Sequence, residues 1–196
     1  MKTDNLQRFL NSFGKNVIKQ SRKRLTKGTK KYGSKNVTNA LYNSLRFEVE
    51  EDGENFTVKF FMLGYGAFVD KGISGNKTIQ EYTSWTGKKL NSPFSYTNKM
   101  PPPSKLDKWI LKRGLAHRDE SGRFKGRSIK TVGFAKSISF LIARKIQLHG
   151  IKSLSFFQKP LGFALETFGK DLLESVGKDL TATIDGVTKD FPTQNN

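Results

Sequence analysis

Cysteine is absent from the sequence, histidine occurs twice, and 17 acidic residues stand against 35 lysines and arginines. The first absence excludes disulfides, thiolate nucleophiles and cysteine-ligated metals together. With two histidines and no HExxH or His-x-His spacing, a transition-metal centre lacks a ligand set. No stretch approaches the ~18 uninterrupted apolar residues of a membrane span. Met1-Lys2-Thr3-Asp4 leads into no apolar signal region. The expectation is a chain without a membrane partner, made and used inside a cell or packed into a particle assembled there. GxxxxGK[ST], GxGxxG and GxSxG are missing as well, so no cofactor is expected. What is present is 196 residues, 35% hydrophobic, with 16 phenylalanines. That is enough for one core and too much for wholesale disorder.

The excess positive charge, formally +18, is unevenly spread. Residues 1–35 hold 11 basic side chains and one acid, residues 36–70 hold two and six, and residues 151–196 hold five and six. The rest of the excess lies in residues 71–150. Such a balance attracts polyanions, a nucleic-acid backbone or an anionic membrane surface, unless it is a plain solvated surface. Base readout has no visible device: no zinc-finger spacing, RNP-type motif or helix-turn-helix is present. Any nucleic-acid contact is then expected with phosphates, sensitive to salt and indifferent to sequence.

Leu6, Phe9, Leu10, Phe13, Val17, Ile18 and Leu25 recur with helical period, predicting an amphipathic helix from Asp4 to about Gly28. Its other face carries Lys15, Lys19, Arg22, Lys23 and Lys27, the candidate polyanion-facing residues. A short helix is expected over 37–45. The period then changes to two: Phe47 and Val49 alternate with Glu48 and Glu50, Asp52-Gly53 marks a tight turn, and Phe56, Val58 and Phe60 return. Glu48, Glu50, Glu51 and Asp52 make the hairpin end acidic, which fits either a contact with a basic patch on a neighbouring copy or a solubilising turn. Adjacent strand residues alternate faces, so these carboxylates do not readily converge on a cation.

Residues 73–104 read as an irregular loop with Tyr82, Trp85, Phe94 and Tyr96, aromatics to be buried under the loop or against a partner. A helix is expected from Ser104 to Gly114. A basic loop over 116–131 follows, with Arg123, Lys125 and Arg127 as further polyanion-facing candidates. A third helix over 132–148 should turn Phe134, Ile138, Leu141, Ile142 and Ile146 to one side. After Pro160 a helical pattern places Leu165, Phe168, Leu172, Leu173 and Val176 together, and residues 180–187 could close as a strand. The fold class is α+β: an amphipathic N-terminal helix and further helices on a small antiparallel sheet built around the hairpin, with long loops. His117 lies in the charged loop and His149 at a helix C-terminus, where a cation is tolerated. The enzyme alternative is a metal-dependent nuclease, for which no carboxylate pairing is visible.

After the hairpin comes Tyr65-Gly66-Ala67-Phe68-Val69-Asp70-Lys71-Gly72, a strand-to-helix corner expected to turn Tyr65, Phe68 and Val69 inward. Farther on, Ile142-Ala143-Arg144-Lys145-Ile146 leads to His149-Gly150-Ile151 and Phe156-Phe157. This order, over about residues 4–160, resembles the tailed-bacteriophage neck and tail-completion family, also called head–tail joining or minor capsid proteins. Three departures stand out: a longer insertion after Gly72, an unusually basic 116–131 loop and an extended region after Pro160.

The resemblance implies an α+β domain over 1–159, with insertion loops 73–104 and 116–131, and a C-terminal helical extension and polar tail over 160–196. It implies a virion component rather than an enzyme, assembled in the host cytoplasm as a ring of six or twelve copies between portal and tail. Its partners would be copies of itself and the neighbouring portal, connector or tail-tube proteins, with nonspecific DNA contact around the channel. The 65–72 corner would serve subunit interfaces, and excision of 73–100 would leave the subunit folded and block assembly. The alternative of another class is a basic, sequence-nonspecific nucleic-acid-binding protein.

Overall fold

The computed structural model describes residues 4–27, 38–53, 55–112 and 130–189. Helix α1 runs Asp4–Lys27, α2 Ala40–Ser44, strand β1 Arg46–Asp52, β2 Asn55–Phe61, and α3 Gly66–Lys71. Strands β3 (Glu81–Thr83) and β4 (Lys89–Asn91) follow, then α4 (Pro103–Lys112), α5 (Lys130–His149) and α6 (Gln158–Lys189). The fold is α+β, with helices packed about an antiparallel hairpin. No helix among the described residues is long and apolar enough to cross a membrane.

The period-three-and-four stripe of α1 is its buried face: Leu10, Val17, Ile18 and Leu25 are buried and Phe9 and Phe13 half-buried. Residues Lys15, Lys19, Lys23 and Lys27 are exposed. Strands β1 and β2 pair from Arg46↔Phe61 to Asp52↔Asn55, with Gly53 at φ 61° in the turn. Alternation puts Phe47, Val49, Phe56, Val58 and Phe60 half under cover and Glu48, Glu50 and Lys59 outside. Gly14 of α1 lies against Phe47; a Cβ there would come within 2.2 Å of the ring, so this helix residue is small because the strand packs on it. Ile18, Leu25, Leu41, Leu45 and Phe156 form the buried core, with Phe47, Phe60, Met62, Val69 and Phe157 packed around it. A run of ring contacts, Phe9–Phe168–Phe13–Phe60–Phe157, ties α1, α6, β2 and the segment before α6 together at 4.9–6.3 Å.

Four expectations change. Residues 180–187 are the end of α6, not a strand. The β-branched Thr183 gives its hydroxyl to the Asp179 carbonyl one turn back, so the helix accommodates it. Residues 73–104 contain the paired β3–β4 hairpin, too short to show a period in the sequence. On α5, Leu141 is 59% exposed, while Ser139 and Ala143 are fully buried, as is Ile110 of α4, and the Ser139 hydroxyl donates to Asp107. On α6, Leu173 is 75% exposed. Small residues set the α4–α5 seam, which a hydrophobicity pattern passes over. Phe134, Trp109 and the basic loop residues Arg123, Lys125 and Arg127 lie outside the described side chains.

Candidate functional site

The corner over 65–72 and the stretch over 149–157 meet. Ile73 and Ile151 exchange both backbone hydrogen bonds, at 2.9 and 2.8 Å. Leu154 N–H donates to the Val69 carbonyl, and Ser155 N–H and the Ser153 hydroxyl donate to the Asp70 carbonyl. Two glycines permit the approach. Gly72 has φ 75° with the Ile151 carbonyl 2.7 Å from where a Cβ would stand, and Gly150 has φ 71° with the Ile73 carbonyl 1.9 Å away.

Asp70 is the buried centre of this node, 2% exposed. Its Oδ1 accepts the Phe157 N–H at 2.8 Å and the Gln158 N–H at 3.4 Å, the donors left without intrahelical partners where α6 begins. The side chain therefore caps α6 from a distant part of the chain. Burial pushes its carboxyl above the usual aspartate range, against the lowering pull of the Phe157 and Gln158 N–H groups and of Lys71. Tyr65 and Phe68 do not turn inward as expected: they are 44% and 41% exposed. Helix α3 buries Gly66 and Asp70, one turn apart, so Tyr65 and Phe68 lie off that line. Val69 packs against the core as expected.

The insertion is sewn into the same node. Ser74 N–H donates to the Phe94 carbonyl and Tyr96 N–H to the Ser74 carbonyl. The last carbonyls of α5 accept N–H groups from Asn76 and Lys77, and the Gln80 amide donates to the His149 carbonyl. Phe94 stacks edge-on against Phe68 at 4.5 Å, and Lys71 sits 5.7 Å over the Tyr82 ring. Tyr96 is half-buried, and burial raises its phenol pKa. Trp85 is the one of these four aromatics left open, at 52% exposure. Removing 73–100 would strip the α5 end and the node of partners, so the expectation that the subunit folds without it gives way.

A second node lies at the other end of α6. Asp179, 1% exposed, accepts the Leu6 N–H at 2.9 Å on Oδ2 and the Asn5 N–H and amide on Oδ1. It caps α1 as Asp70 caps α6. Burial pushes this carboxyl up, but the hydrogen bonds from Leu6 and Asn5, with Arg8 nearby, outweigh it and leave it below its usual value. Sequence reading missed both caps. For Asp179 the signal was an aspartate on an otherwise apolar stripe, continuing the line of Leu172 and Val176.

The charged candidates divide. Arg22 is not on the polyanion-facing side: its guanidinium donates to the Tyr42 and Leu45 carbonyls at 3.1 and 2.8 Å and lies over the Tyr42 ring. Glu48 and Glu50 are taken by Arg46 and Lys59 on the outer face of the hairpin. Glu51 and Asp52 are exposed at its end. Beside α1 lies a groove of about 580 Å³, rimmed by Lys15, Lys19 and Lys23 and lined below by Ile18, Tyr42 and Phe47. Among the described residues no group of three or more His, Asp or Glu is placed to hold a metal ion. Comparison with protein-family models, curated proteins and solved structures finds no match to this chain.

Proposed function

We propose that this chain is a structural subunit of a tailed-phage head–tail connector, a ring joining portal and tail around the DNA channel, with no catalytic role. The observation that carries it is the node at Asp70. The two stretches on which the family resemblance rests are 65–72 and 142–157; the first and the 151–157 end of the second are joined there by backbone hydrogen bonds and share one buried carboxylate. Further support comes from large apolar side chains left on the surface: Phe163, Leu173, Leu180 and Ile184 of α6 and Phe140 and Leu141 of α5 are each 46–75% exposed. Where such side chains adjoin on the surface they form the apolar patches that association uses. Among the described residues the two buried carboxylates, Asp70 and Asp179, both serve as helix caps, which leaves them little role in turnover.

Sedimentation or native mass spectrometry tests the reading. A ring of discrete size, formed alone or on a portal partner, is the expected result. A chain that stays near 22.2 kDa and joins no particle contradicts it. The lysine line on α1 favours a second reading, a sequence-blind nucleic-acid binder. Monomeric protein that retards duplex DNA and releases it by ~0.2 M salt would select that one.

A further inference from the structure

The groove beside α1 and the free end of the hairpin have opposite chemistry and cannot meet within one chain. Lys15, Lys19 and Lys23 follow one another at i, i+4 and i+8, a line of about 12 Å along the helix. Like charges at this spacing each destabilise an isolated helix by about 0.2–0.5 kcal/mol. No ion pair to these lysines occurs among the described residues. The groove floor is apolar, with Ile18 buried and Tyr42 and Phe47 half-buried. Arg46, at the base of β1, also lines the groove.

At the other end of the same strand, about 20 Å away for seven residues, stand Glu51 and Asp52. They are exposed, and Glu51 pairs across the hairpin with the half-buried Phe56. The tip thus offers Glu51 on the same face as an aromatic ring and Asp52, paired with Asn55, on the opposite face, and the groove offers three ammonium groups above an apolar floor. A duplex phosphodiester backbone would use the lysines and leave the floor unused, so a protein segment with acidic and apolar side chains suits it better than a duplex. The hairpin is one rigid element, so its two ends stay apart.

We infer that the acidic hairpin tip of one copy docks in the lysine-rimmed groove of the next. Such a contact is head-to-tail: each subunit uses a different surface on its two sides, and repetition closes a ring where the rotation permits. The inference rests on the connector reading above and assigns one of its subunit contacts. Complementary charge of this kind sets partner choice and association rate and weakens as salt rises.

The test is charge reversal with concentration-dependent sedimentation at low salt, fold being checked by circular dichroism. Glu51→Lys with Asp52→Lys should raise the concentration needed for assembly at least about tenfold, and Lys19→Glu with Lys23→Glu should do the same. All four changes in one chain should restore assembly. Because the chain has no cysteine, Lys19→Cys protein mixed with Asp52→Cys protein should oxidise to a crosslinked dimer. A multimer indifferent to every reversal overturns this contact and leaves the connector reading standing. A wild-type chain that never associates, alone or on a portal partner, overturns both. Loss of duplex-DNA binding on groove reversal, with assembly unchanged on tip reversal, makes the groove a nucleic-acid surface and overturns the contact.

Discussion

Asp70→Ala and Asp70→Asn separate the two things the Asp70 carboxylate does. In the first variant the Phe157 N–H, bonded at 2.8 Å in the wild type, loses its acceptor in a buried place. Loss of a cap costs about 0.5–2 kcal/mol, and an unsatisfied buried donor about 1–3 kcal/mol. These describe the same bond and do not add, so the expected loss is about 2 kcal/mol. At this chain length that lowers the melting temperature by about 4–8 °C. Asn keeps an oxygen where Oδ1 stands and removes the buried charge, so Asp70→Asn should lie within about 1 kcal/mol of wild type at pH 7. The pH dependence gives the second readout. Burial raises the folded-state pKa, so the folded chain binds a proton more readily than the unfolded one. Wild-type stability relative to Asp70→Asn should therefore rise as pH falls from neutrality through the raised value, and level off below the unfolded-state value of ~3.9. Urea unfolding followed by far-ultraviolet circular dichroism between pH 4 and 8 measures both. Equal destabilisation by Ala and Asn, or a harmless Asp70→Ala, would refute the capping role.

Four further outcomes are expected. Asp179 carries the opposite sign: its lowered carboxyl stabilises the fold above ~3.9 and loses that contribution as pH falls through the folded value, so Asp179→Asn should flatten the acid limb of the unfolding curve. Ser21→Ala should stabilise by about 1 kcal/mol in urea melts, because the Ser21 hydroxyl is fully buried without a partner and Ala is the better helix former. Gly150→Ala should destabilise by more than about 3 kcal/mol or leave the chain insoluble, since its Cβ would overlap the Ile73 carbonyl at a positive φ; a soluble, wild-type melt would contradict that geometry. Phe60→Ala opens the ring contacts with Phe13, Phe47 and Phe157 and should cost about 3 kcal/mol by calorimetry.

Local periodicity made α1 and the β1–β2 hairpin legible. Leu10, Val17, Ile18 and Leu25 declare a buried stripe through their spacing, and Phe47 to Phe60 through alternation about Asp52-Gly53. Where a decision depended on distant partners, the sequence was silent or misleading. Leu173 fits the apolar run of α6 but lies on its outer side, because Asp179, drawn to the start of α1, fixes which way the helix faces. Thr181, Thr183 and Ile184 have strand preference, and continuation of a packed helix overrides it. Arg22 reads as one more surface cation until the Tyr42 and Leu45 carbonyls at the end of α2 are seen to need a donor. The site was legible in part: its two stretches could be picked out, and their meeting at Asp70 could not. No spacing rule links residue 70 to residue 157.

The use of its acids explains why so basic a chain carries its charge outward. Asp70 and Asp179 are spent inside the fold on the free N–H groups of α6 and α1. Glu48, Glu50 and Glu174 are matched by cations of their own chain. The lysines of α1 project from a helix whose one acid is Asp4, so nothing on their own element neutralises them. Charge left in that condition is satisfied by salt, by a polyanion or by the acids of another molecule. The apolar floor under those lysines bears on the choice, because a partner that brings both carboxylates and hydrophobic surface would gain from the whole groove, whereas salt or a duplex backbone would use the lysines alone.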